Sequence, residues 1–199
     1  TGASDMNEVD VAMSILLQRT NDIVLMQCNT NYTASLGNFK YINLNVLKEY
    51  SRKYPDCVLG LSDHTPGHAT VLGAVALGAR VIEKHFTNNT NREGPDHKFS
   101  MDFNSWRNMV NRTRELENAL GSSTKRVEFN EKETVILQRR SIRTKKDLVI
   151  GDQIHENDIE FLRPCPEDAL PPYELEKILN RELAEDIKSG DYLKWTSIK

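Results

Sequence analysis

The sequence predicts an α/β fold on a parallel sheet, either a (β/α) barrel or a doubly wound sheet, followed by a small β-rich module. Three observations predict it. Short apolar runs over residues 22–28, 57–61 and 80–86 recur at intervals of about 25 to 35 residues, with helical periodicity between them. The two later runs lead into polar residues and a histidine, His64 and His85, and the strand-helix-strand pattern of a parallel sheet brings such ends to one side, where α/β proteins bind ligands. After Gly121 the pattern changes: the phrase D-[LI]-x-x-G-D-x-[IL] occurs at 147–154 and again at 186–193.

Each element has its own signal. Ser4 or Asp5 caps a first helix, in which Val9, Met13, Leu16 and Leu17 recur on one face. The run D-I-V-L-M-Q-C (22–28) reads as a buried strand, and N-T-N-Y-T-A-S-L-G-N-F after it as a loop. Leu44, Leu47 and Tyr50 mark a second helix that Pro55 ends. The small-residue segment 66–79 is long enough for one crossover helix. A long polar loop, T-N-N-T-N-R-E-G-P-D-H-K-F-S-M, precedes an amphipathic helix over 103–120 with Trp106, Met109, Val110, Thr113, Leu116 and Leu120 on one face and Gly121 as its stop. The charged stretch S-S-T-K-R-V-E-F-N-E-K-E reads as a linker. In the tail, Gly151 and Gly190 supply turns between short strands, and Pro171-Pro172-Tyr173 opens a short helix running to about Leu179.

Composition sets outer bounds. The 199 residues are 38% hydrophobic and 28% charged, with a net charge of −3, ordinary for a globular protein and giving no electrostatic case for nucleic acid. No apolar run approaches the roughly 20 residues of a membrane span, and no signal peptide is visible. Cys28, Cys57 and Cys165 have no metal-type spacing, so free thiols in a reducing compartment, the cytoplasm, are expected.

The chemistry converges on two imidazoles. Neutral imidazole is the commonest protein metal ligand, and His64 and His85 stand at adjacent strand ends. Asp63 and Glu83 are the candidate catalytic carboxylates, placed to hold the ring orientation. Glu83 lies two residues before His85, hence on the same strand face. His68 and His97 lie near the same loops, His68 on the crossover helix, and His155 reads as surface.

With these residues in view, G-L-S-D-H-T (60–65), V-I-E-K-H-F (81–86), the G-P-D-H loop (94–97), R-R-S-I (139–142) and F-L-R-P (161–164) resemble the sialic acid synthases. The resemblance spans essentially the whole chain, and N-T-N-Y-T with R-E-G-P-D-H-K-F-S-M looks most like bacterial synthases of legionaminic and related nonulosonic acids. It implies the C-terminal part of a (β/α)8 TIM barrel over 1–121, a linker over 122–135, and an antifreeze-like, or SAF, domain over 136–199. It also implies condensation of phosphoenolpyruvate with an open-chain N-acylated mannosamine-type sugar, using Mn²⁺ or Mg²⁺. His64 and His85 would be the metal ligands, Ser62 would meet the phosphate, and Tyr32, Asp96 and Asn31 would contact the sugar. Arg163 would reach from the tail into the site of the partner in a homodimer.

Departures and alternatives accompany the resemblance. Thr30 and Thr33 stand where the family carries asparagine and proline, so the loop amide would come from Asn29 or Asn31, and Gln27 replaces a histidine of some relatives, which points to a different sugar pocket. A (β/α)8 barrel takes about 250 residues, so the chain reads as the carboxy-terminal part of a longer synthase, with Thr1 not its natural start. The alternatives are a noncatalytic antifreeze-like binding module, disfavoured by the charge on the tail, and another metal-dependent aldolase on the same fold.

Overall fold

Local capping chemistry opens the first helix of the computed structural model, which describes residues 1–199. Asp5 Oδ1 accepts from the Glu8 amide at 3.0 Å and Glu8 Oε2 accepts from the Asp5 amide at 2.8 Å, satisfying two donors that helix α1 (Met6–Leu17) leaves free. Val9 and Met13 are buried. Leu16 and Leu17, expected on the same face, are exposed, because the last turn overruns the buried cluster, to which α1 contributes only Met6, Val9 and Met13.

Strands β1 (Val24–Cys28), β2 (Val58–Asp63) and β3 (Val81–Lys84) form a parallel sheet in that order, with Val24 opposite Val58, Cys28 opposite Ser62, and Ser62 opposite Glu83. Helix α2 (Val46–Lys53) returns from β1 and helix α3 (Ala69–Ala76) from β2. Side chains alternate between the faces of a strand. Leu25, Leu59 and Leu61 therefore share one face, and they cluster with Met13 of α1 and with Leu47 and Tyr50 of α2. On the other face Val24, Val58 and Val81 are 47%, 43% and 37% exposed, so that face is apolar and open at its amino-terminal end. Gly60 lies between β1 and β3, where a Cβ would stand 2.8 Å from both Met26 Cγ and the Val81 carbonyl oxygen.

The crossover helix is shorter than its apolar segment predicts. Residues 65–68 form a turn in which Gly67 takes φ +74° and the Asp63 carboxylate accepts the Thr65 amide at 3.0 Å, so the helix starts only at Ala69 and His68 stands just before it. Helix α4 (Phe103–Leu120) has the predicted bounds. Asp102 accepts the Ser105 amide at 2.8 Å at its start, and Gly121 ends it at φ +48°. Met109 packs on Val71 and Val75 of α3 in a narrow seam, which leaves Val110 and Leu120 exposed.

The chain divides into two compact units, Thr1–Ser122 and Ser123–Lys199. In the second, the stretch read as linker ends in structure: a 3-10 turn at Phe129–Glu131 leads into helix α5 (Lys132–Gln138). Strand β4 (Ser141–Thr144) pairs antiparallel with β5 (Ile159–Leu162), and Pro172–Glu174 opens helix α6 (Leu175–Ile178). Ile142, Ile154, Leu183 and Leu193 are among its fully buried side chains.

The two copies of the tail phrase bond to each other. Leu148 and Ile187 exchange amide-to-carbonyl bonds at 2.9 Å each. Asp147 Oδ1 accepts the Ser189 amide at 2.9 Å, and Asp186 Oδ1 accepts the Ile150 amide at 2.8 Å. The Gly190 amide donates to the Thr144 carbonyl at 2.8 Å, and the Gly151 amide donates to the Leu183 carbonyl at 2.9 Å. Every bond in this set has a counterpart displaced by one repeat, so the two halves are related by a local two-fold axis. No helix in the chain is long and apolar enough to cross a membrane.

Candidate active site

The parallel register brings Ser62, Glu83, His64 and His85 to the same face and the same end of β2 and β3. Ser62 and Glu83 are cross-strand partners, and the Ser62 hydroxyl donates to Glu83 Oε1 at 2.7 Å. One step further along, the rings of His64 and His85 stand 5.1 Å apart, centroid to centroid. Tyr32, from the loop after β1, closes the cluster with its ring 4.2 Å from that of His64 and 5.7 Å from that of His85. Phe99 forms the floor, 2% exposed and 5.1 Å from the His85 ring.

The orientation of the His64 imidazole is set by an oxygen. His64 is buried, and its Nδ1 lies 2.9 Å from the Asn29 carbonyl. A carbonyl only accepts, so Nδ1 carries the proton and Nε2 carries the lone pair. The bond at His64 thus leaves its Nε2 lone pair unengaged. His85 Nδ1 lies 3.6 Å from Asp96 Oδ2, a contact too long for a hydrogen bond. Imidazoles that share one divalent cation at about 2.1 Å in tetrahedral or octahedral geometry have centroids roughly 4.6 to 5.3 Å apart, and the observed separation falls in that range. No group of three His, Cys, Asp or Glu side chains converges for a metal, and the two rings are the only nitrogen donors of this cluster.

Asparagines hold the loop that carries Tyr32. Asn29 Oδ1 accepts the Asn31 amide at 3.1 Å, and Asn29 Nδ2 donates to the Tyr41 carbonyl at 3.3 Å. Asn31 Nδ2 donates to Oδ1 of Asn38 at 3.2 Å, and Asn38 is 3% exposed. The amide of Asn31, expected at the sugar, is therefore engaged in shaping the loop. Gln27 faces away from the histidines and donates to the Ile42 carbonyl at 3.0 Å. His97 bonds Thr87 at 2.8 Å and stands outside the ring cluster.

Asp63 is the main correction. As the immediate neighbour of His64 on a strand it faces the opposite side, where it is buried with Lys84 at 2.6 Å and with Thr65 and Thr70. Its bonds are all on that buried side, so it does not hold the ring orientation, and the Asn29 carbonyl is what meets His64. Glu83 bonds Ser62 through Oε1 rather than His85. Arg163 is exposed in the second unit, next to Pro164, whose carbonyl accepts from Ser141 Oγ at 2.8 Å and Arg143 Nη2 at 3.1 Å. Asn38, Phe99, Lys84 and the Asn29 carbonyl went unnoticed in the sequence. Only the N-x-N run before Tyr32 carried a local hint, as a loop of amides with no apolar partner.

Comparison with known proteins agrees with this architecture. The NeuB family model matches residues 1–125 and the SAF domain model matches residues 139–199. The chain is 36% identical to N,N'-diacetyllegionaminic acid synthase of Legionella pneumophila, over 100% of this chain and 56% of that protein. It is 34% identical to pseudaminic acid synthase of Campylobacter jejuni, over 98% of this chain and 55% of that protein. Against N-acetylneuraminate-9-phosphate synthase of Homo sapiens the identity is 32%, over 64% of this chain. The chain spans about half the length of the curated relatives it matches. Among solved structures, spore coat polysaccharide biosynthesis protein SpsE of Bacillus subtilis superposes with a TM-score of 0.54 at 30% identity, over 100% of this chain and 60% of that one. A putative spore coat polysaccharide biosynthesis protein E of Chromobacterium violaceum shares the fold, with a TM-score of 0.70 at 21% identity, over 100% of this chain and 59% of that one.

Proposed function

Because the chain belongs to the NeuB family, we propose that the protein it forms condenses phosphoenolpyruvate with an N-acylated mannosamine-type sugar to give a nine-carbon 2-keto acid and phosphate. In this reading the three strands are the last three of a (β/α)8 barrel. The open row of Val24, Val58 and Val81 supports it, since an apolar sheet face exposed to water needs further chain to cover it.

The observation that carries the proposal is the pairing of the His64 and His85 rings 5.1 Å apart under the ring of Tyr32, with Nε2 of His64 left for coordination. A divalent cation, Mn²⁺ or Mg²⁺, held by these two rings would supply Lewis-acid polarisation of the sugar aldehyde, toward which C3 of the enol phosphate attacks. Ser62 presents its hydroxyl to the phosphate, turning from Glu83 to do so. Glu83, exposed on the same face, then becomes free to accept the proton of the water that adds to C2 as phosphate leaves. Tyr32 and Asp96 line the sugar side: the exposed Tyr32 ring offers an apolar face with a polar tip, and the Asp96 carboxylate offers a hydroxyl acceptor beside His85. Arg163 serves the site of a second copy in a homodimer, its loop fixed by the bonds from Ser141 and Arg143 to the Pro164 carbonyl. Three free thiols support a cytoplasmic setting.

The test is phosphate release from phosphoenolpyruvate by the full-length protein with Mn²⁺, comparing N-acetylmannosamine with 2,4-diacetamido-2,4,6-trideoxymannose. Release that depends on one of the sugars supports the reading and identifies the subclass. Folded protein with no sugar-dependent release overturns it.

A further inference from the structure

Lys84 stands between Glu83 and His85 in sequence but faces the other side of β3, and its side chain is 1% exposed. A buried ammonium persists only where its charge and its protons are matched. Here Nζ donates to Asp63 Oδ2 at 2.6 Å and to the Thr65 carbonyl at 2.6 Å. Asp63 is equally enclosed, with its side chain 0% exposed. Its carboxylate also accepts the Thr65 amide at 3.0 Å, the Thr70 hydroxyl at 2.5 Å and the Thr65 hydroxyl at 2.9 Å.

The connectivity is what gives this cluster its meaning. Asp63 and Thr65 flank His64 on both sides, and Lys84 immediately precedes His85. One ammonium therefore ties the Asp63 carboxylate and the Thr65 carbonyl, on either side of the first imidazole, to the residue just before the second. Stability alone does not call for such a pair, since well-packed apolar residues of similar volume serve a core as well or better. A charge pair adds direction: Nζ meets both of its acceptors at one strand offset only.

We propose that Lys84 and Asp63 are positioning residues, which set the separation of the His64 and His85 rings and through it the affinity of that pair for a divalent cation. The affinity part rests on the metal reading above; the separation part does not. Outer partners of metal ligands commonly change affinity about 10- to 100-fold when replaced.

The test uses the full-length protein and two variants. Asp63→Leu combined with Lys84→Met removes both charges at near-constant volume, and Lys84→Arg keeps the charge but replaces a compact ammonium with a planar fork. Mn²⁺ binding is titrated by electron paramagnetic resonance with Mn²⁺ alone, folding is followed by thermal unfolding, and the ring separation is measured in a crystal structure of each folded variant. The expected result is a folded variant that binds Mn²⁺ about 10- to 100-fold more weakly, with ring centroids moved from 5.1 Å. A folded variant that keeps both the separation and the affinity overturns the proposal. If the double variant does not fold, Lys84→Arg decides by the same two readouts. If the unaltered protein binds no Mn²⁺, the metal reading fails, and the ring separation in the folded variant decides the positioning role by itself.

Discussion

Replacing Gly60 with alanine tests whether the sheet is as closely packed as the ring spacing requires. Glycine inside a strand ordinarily weakens it, and alanine recovers about 0.5 to 1 kcal/mol by restricting the unfolded chain. At Gly60 the sign should reverse. The added Cβ would stand 2.8 Å from Met26 Cγ and 2.8 Å from the Val81 carbonyl oxygen, well inside the roughly 3.5 to 4.0 Å of favourable carbon contacts. The Met26 side chain can rotate aside, but the Val81 carbonyl belongs to β3, which is laddered to β2. Overpacking of this kind costs about 1 to 3 kcal/mol. Set against the backbone gain, the net loss centres on about 1.2 kcal/mol and reaches at most about 2.5 kcal/mol, or roughly 8-fold and at most roughly 70-fold faster exchange of the amides that open with β3. Hydrogen–deuterium exchange of a peptide covering 78–86 in the full-length protein measures it. Exchange that is unchanged or slower in Gly60→Ala would refute the close approach of the strands.

Three further outcomes follow from the site and its supports. His64→Ala and His85→Ala should each abolish Mn²⁺-dependent turnover and lose Mn²⁺ binding, and a variant with full activity would sink the ligand assignment. Arg163→Ala should raise the KM for the sugar while leaving Mn²⁺ affinity unchanged; an unaltered sugar dependence would count against a contact between tail and site. Burial, reinforced by the Asp10 carboxylate against its hydroxyl, pushes the Tyr54 phenol up to about 12. The neutral phenol therefore contributes stability that is fully present below about pH 10 and is lost as pH rises from there through about 12. Tyr54→Phe should remove that stretch of the pH dependence, and a phenolate absorbance for Tyr54 emerging near pH 10 would refute the burial argument.

How much of this was legible in the sequence depends on how local the cause is. Helix α4 was readable to its ends because Asp102 caps it through bonds within a few residues and Gly121 ends it with a positive φ that glycine favours. The strands were readable because two of them end in the same order of apolar run, polar residue and histidine. Asp63 shows a rule left unapplied: the period of two that puts Glu83 and His85 on one face puts Asp63 and His64 on opposite faces. Helix α3 starts later than the apolar segment predicts because the Asp63 carboxylate holds the amide of Thr65, two residues on, and Gly67 turns the chain at φ +74°. Lys84, Asn38 and the Asn29 carbonyl act through partners about 20, 7 and 35 positions away, and nothing within their own windows announces them.

The two-fold relation within the tail has a consequence for how such a module can be divided. The backbone groups of each half that the half itself leaves unbonded are completed by the other half, at Leu148 with Ile187, at Asp147 with Ser189, and at Asp186 with Ile150. Half of the module is thus an adhesive surface for a copy of itself. A peptide carrying one phrase alone should associate in pairs, and the single chain is that pair with its two members joined end to end.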